Sequence, residues 1–102
     1  MSQAVKDFIN RLVRISPDFF EQVKVGNMGM SIQASRNHYC SPKESYALAM
    51  MYSSFEVMVY PRDLHELLRG NDEPFSWMSP EKVYDLYHVL KKIDKFKQSQ
   101  RA

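Results

Sequence analysis

The chain has 102 residues and a formal net charge of +2, with 44% hydrophobic and 25% charged residues. That length suits one domain, and the composition excludes a disordered or collagen-like polypeptide. A single cysteine, Cys40, excludes an internal disulfide framework. No apolar run approaches the roughly 20 residues of a bilayer-spanning helix. The opening MSQAVKDFINRL lacks the apolar core of a signal peptide, so a reducing cytoplasm is the expected compartment.

The charge is unevenly placed. Residues 82–102 carry six Lys/Arg against Asp85 and Asp94, which leaves eight basic and ten acidic residues before them. A solvated last helix explains that bias, because cations are favoured at a helix C-terminus. So few clustered cations release few counterions, and direct nucleic-acid binding is not expected.

Residues 3–14 are predicted as a helix. Val5, Phe8, Ile9, Leu12 and Val13 form one apolar stripe, with Lys6, Asp7, Asn10, Arg11 and Arg14 opposite. Ser16-Pro17-Asp18 suits a second helix start, with Phe19, Phe20 and Val23 on its apolar side and Gly26 at its end. Residues 28–35 alternate and predict a strand. Met28, Met30, Ile32 and Ala34 share one face; Ser31, Gln33 and Ser35 share the other.

The stretch Arg36-Asn37-His38-Tyr39-Cys40 then leads to Ser41-Pro42-Lys43-Glu44, a capping-box pattern. Residues 45–51 read equally as a helical turn or an ordered loop. Residues 54–60 alternate again, with Phe55, Val57 and Val59 opposite Glu56, Met58 and Tyr60. Pro61 ends that strand. Leu64, Leu67 and Leu68 predict a short helix ending at Gly70. Phe75–Met78 reads as a brief third strand. Ser79-Pro80-Glu81 opens a last helix with Val83, Leu86, Tyr87, Leu90 and Ile93 inward, followed by a disordered tail at 98–102. The expected fold is one α+β domain over residues 1–102. A three-stranded antiparallel sheet is flanked by N-terminal and C-terminal helices.

No complete catalytic or metal constellation emerges. His38 and Cys40 could face the same way on an extended chain, but His65 and His88 have no paired spacing that would complete a zinc site. A Cys40–His38 nucleophile pair requires an orienting third group, and no glycine follows to form an oxyanion hole, with Pro42 just beyond. Three glycines cannot supply a phosphate loop. No cofactor is expected. Aromatic residues, at 13%, and seven Met suit both a small core and an adaptable binding surface. The expected recognition surface joins the loop (Ser35, Arg36, Asn37, His38, Tyr39) to the polar strand face (Gln33, Glu56, Met58, Tyr60). An exposed edge at 54–60 would permit a homodimer.

The segment Ile32-Gln33-Ala34-Ser35-Arg36-Asn37-His38-Tyr39-Cys40-Ser41-Pro42, then Phe55-Glu56-Val57 and Phe75-Ser76-Trp77-Met78-Ser79-Pro80, resembles small accessory proteins encoded by bacteriophages and prophages. The resemblance spans residues 28–93 and implies a context without an established activity. In that context the expected function is stoichiometric inhibition of a host protein, such as a bacterial defence effector, in the manner of anti-CRISPR proteins. The alternative is a binder of a small ligand or nucleotide signal, held by the 35–41 loop. A second alternative is an enzyme using Cys40.

Overall fold

The computed structural model describes residues 1–100, where Ser2 caps helix α1 (Gln3–Asn10) by accepting the Val5 amide on its side chain. Val5, Phe8 and Ile9 are buried, as the apolar stripe predicts. The helix is shorter than expected. Beyond Arg11 the chain extends into β1 (Arg14–Ser16), which pairs with β2 (Phe19–Phe20) as a small hairpin. Val13, expected inside, is 54% exposed.

The second predicted helix is therefore absent. Ser16-Pro17-Asp18 makes the hairpin turn, with the Asp18 amide bonded to Ser16 Oγ. The same residues suit a helix start and a tight turn, because both want a side-chain acceptor followed by a fixed proline φ. Next comes β3 (Val23–Val25), antiparallel to β4 (Met28–Gln33), with Gly26-Asn27 between them. Gly26 has φ +59°, and a Cβ there would collide with the Asp94 carboxylate. Positive φ serves a hairpin turn as well as a helix end, so glycine alone could not separate the two.

After β4 an ordered loop carries Ser41 into a lone bridge with Ser54. The capping-box pattern at 41–44 starts no helix; the only helical geometry before the next strand is a single 3-10 turn at Ala49–Met51. β5 (Phe55–Tyr60) follows, then α2 (Arg62–Arg69), β6 (Phe75–Met78) and α3 (Pro80–Ser99). Gly70 closes α2 at φ +95°, and Ser79 caps α3 at the Lys82 amide. α3 runs through Gln98 and Ser99, so the tail expected to be disordered is helical there; Arg101 and Ala102 lie outside the described residues.

Among the described residues the fold is α+β, with three α-helices, a four-stranded antiparallel sheet in the order β3-β4-β5-β6, and the β1-β2 hairpin. The extra strand is β3, whose short Val-Lys-Val alternation sits inside the segment read as helical. β5 is an interior strand, which corrects the expected edge at 54–60 and removes the basis for pairing two chains there.

Met30 lies opposite Val59, and Ile32 opposite Val57. All four are fully buried with Phe55, Val83 and Leu90, where α3 covers the sheet and α1 packs against α3 and the 3-10 turn. Each such side chain contributes about 1.5–3 kcal/mol through removal from water. The Phe8 ring joins the two helices through Tyr84 and Tyr87.

Candidate functional site

The other sheet face is built from Gly29/Tyr60, Ser31/Met58 and Gln33/Glu56, each pair directly opposed. It is open at one end and closed at the other. Tyr60 is exposed and Met58 half-buried, whereas Gln33 is buried. Extending the β3-β4 register by three residues sets Phe20 opposite Gln33. There the Gln33 carboxamide accepts the Phe20 N–H at 2.6 Å and donates to its C=O at 2.9 Å. One side chain thus replaces a rung of the ladder and fastens the β1-β2 hairpin to the sheet. Gln33 is a fastener inside the fold, 6% exposed.

The 35–41 loop is tied at several points. Ser35 is fully buried; its Oγ accepts the Asn37 amide at 3.0 Å and lies 2.6 Å from His38 Nδ1. Asn37 donates its side-chain amide to Asp18, and the Phe19 ring meets His38 edge-on at 5.4 Å. Glu56 reaches up from β5 to accept the Tyr39 amide at 2.8 Å. Of the expected recognition residues, Arg36, Asn37, Tyr39 and Tyr60 are exposed, His38, Glu56 and Met58 are half-buried, and Gln33 and Ser35 are internal.

The loop also meets a residue that the sequence reading left inside a strand. Trp77 donates its amide to the Tyr39 carbonyl at 3.0 Å, and the two rings lie 5.3 Å apart, tilted by 40°. Trp77 is 58% exposed and Tyr39 is 49% exposed. Trp77 occupies a β-bulge: between the pairs Val57/Phe75 and Phe55/Met78, β6 has two residues where β5 has only Glu56. Its φ is +51°, in the left-handed region where a bulky side chain costs on the order of 1–3 kcal/mol. The fold holds a large aromatic ring in the open against that cost. Lys43 Nζ sits 5.4 Å above the Tyr39 ring. A bulge is a property of strand pairing, and the only hint in the sequence was the lone Trp.

Cys40 is 2% exposed, and its Sγ–H is directed to the carbonyls of Ser35 at 3.3 Å and Pro42 at 3.4 Å. Burial pushes the thiol up from its ordinary value, with the Glu56 charge adding to the effect. The Ser35 hydrogen bond and the Lys43 and Arg14 charges pull the other way but do not outweigh burial, so the thiol form is favoured. Among the described residues, no group of three or more His, Cys, Asp or Glu is placed to hold a metal ion. No helix among them is long and apolar enough to cross a membrane.

Burial also lowers the His38 pKa, against the carboxylates of Glu56 and Asp18, which raise it. The fold therefore disfavours imidazolium. The stability that His38 contributes is whole above its ordinary value of 6.5 and is lost as pH falls from there through the lower folded value. Chemical denaturation at pH 7.5 and pH 5 should show a larger acid loss for the parent than for His38→Gln. Equal losses would place the acid sensitivity elsewhere.

Comparison with protein families, curated proteins and solved structures gives no match for this chain.

Proposed function

We propose that this chain is a binding protein that blocks a bacterial partner protein stoichiometrically, and that the partner is a host defence effector of the CRISPR class. The observation that carries the reading is the rigid Tyr39–Trp77 pair, exposed and fixed by backbone hydrogen bonds at both residues. Interface hot spots are enriched in such aromatics, which bury large areas while losing little rotamer freedom. Tyr60 and Met58 extend the same sheet face as a softer rim. The phage-like segment supplies the class of partner, and the host cytoplasm is where that partner works.

The reading assigns no catalytic step. A cysteine-dependent activity has less support, because Cys40 is enclosed and its thiol is pushed up. Phosphate capture by the 35–41 loop also has less support, since the Asn37 side-chain NH2 and His38 Nδ1 are already engaged with Asp18 and Ser35.

The test pairs infection with binding. Expression of the chain in defended cells should restore phage plating, and the purified defence complex should bind it at a fixed ratio. A Tyr39→Ala/Trp77→Ala double variant should lose about 2 kcal/mol or more of affinity, roughly thirtyfold, and lose the plating effect. Plating that is indifferent to the chain, with no binding to purified defence complexes, defeats the proposal.

A further inference from the structure

A cavity of about 360 Å³ opens beside the Tyr39–Trp77 pair, between the end of α2, strand β6 and the first turn of α3. Its walls are Arg69, Phe75, Ser76, Trp77, Met78 and Lys82. That volume falls in the lower range of small-molecule sites. The lining holds two cations and no carboxylate, so the groove has the charge of a phosphate-monoester acceptor. Arg69 rests its guanidinium over the Phe75 ring at 5.7 Å, which orients its donors. Trp77, held at positive φ on the bulge, supplies a rigid flat surface in the same groove.

We propose that this groove binds a nucleotide unit, with the base against Trp77 and the phosphate between Arg69 and Lys82. A planar ring next to paired cations matches that ligand better than it matches a bare anion, for which the aromatic walls would be idle. Stacking of one base on an aromatic side chain is sequence-tolerant, so the site takes purines and pyrimidines alike. The unit comes either from a free mononucleotide or from the end of a single strand. The expectation against nucleic acid weighed the cations of residues 82–102 as one cluster, whereas this groove takes only Lys82 from them and adds Arg69 from α2. The inference goes beyond the protein-binding reading and stands or falls without it.

Trp77 is the single tryptophan, so its fluorescence reports on the groove directly. The full chain is titrated with AMP, GMP, CMP and UMP, with four-nucleotide DNA and RNA strands carrying a 5′-phosphate, and with adenosine and inorganic phosphate as controls. Saturable quenching by mononucleotides or strands is expected, with adenosine and phosphate at least about tenfold weaker. Quenching by the four-nucleotide strands alone would identify a strand end as the source; by mononucleotides alone, or equally by both, a free nucleotide. Arg69→Ala and Lys82→Ala should each weaken binding about tenfold while leaving the thermal midpoint within a few degrees, and binding should fall with added salt. The inference is overturned if nothing quenches at millimolar concentration, if phosphate alone binds as well as a nucleotide, or if both variants bind like the parent.

Discussion

An Arg14→Met variant is expected to lose about 2–4 kcal/mol of stability, although the sequence puts this residue on the polar side of a helix. The structure turns it inward as a cross-link. Nη2 donates to the Ala34 carbonyl at 2.9 Å and to the Tyr46 carbonyl, and lies 3.1 Å from the Tyr52 hydroxyl. Nε donates to Tyr46 as well, and the guanidinium carbon stands 3.9 Å over the Phe20 ring. Three segments far apart in sequence thus converge on one planar cation. Removing it strips two carbonyls of their donor, at about 1–3 kcal/mol each. Part of that is recovered, because a half-buried cation with neutral partners, whose buried Nη1 has no hydrogen-bond partner, is costly to desolvate. Methionine fills the stem's volume and isolates the polar loss. Arg14→Lys should recover little, since an ammonium cannot span the same fork. Urea denaturation measures both variants, and a loss below about 0.5 kcal/mol for Met would show the cross-link to be dispensable.

His65→Ala should cost about 3 kcal/mol and loosen the strand that carries Trp77. The His65 ring is fully buried and replaces a rung of the ladder where β6 does not reach. Its Nδ1 accepts the Val59 amide at 2.9 Å, so Nε2 carries the proton it donates to the Glu73 carbonyl at 2.7 Å. The edge of Phe75 packs at 5.3 Å. Alanine would leave an orphaned amide, an orphaned carbonyl and a cavity in one place. Hydrogen exchange gives the specific reading: the Val59 amide should lose protection by more than the global loss of stability explains. Trp77 emission should change in the folded variant as β6 loosens. A protected Val59 amide with unchanged emission would contradict this account. His65 and Gln33 do the same task at the two sides of the sheet, each joining backbone groups that no strand serves.

Several features were legible in the residues alone. Periodicity marked α1, β4, β5 and α3, because each buries one continuous stripe and the stripe repeats with the period of its own backbone. The α+β class followed from those elements, as did the end of α2 at Gly70 and the cap of α3 at Ser79. The candidate loop was visible through its density of polar and aromatic residues, and the structure does set Tyr39 at the surface beside Glu56.

What the tertiary structure decided lay where local signals are shared by different conformations. Ser16-Pro17-Asp18 and Gly26 serve turns as well as helix ends, so only pairing with β4 made residues 23–25 a strand. Arg14, Gln33 and His65 look like surface polar residues until distant backbone groups arrive to use them. Trp77 came to stand exposed beside Tyr39, at the candidate site, through a bulge that exists only once β5 and β6 are in register. Period and capping act over a few residues and can be read from the chain. Pairing register and buried polar bonds join residues tens of positions apart, and folding alone brings them together.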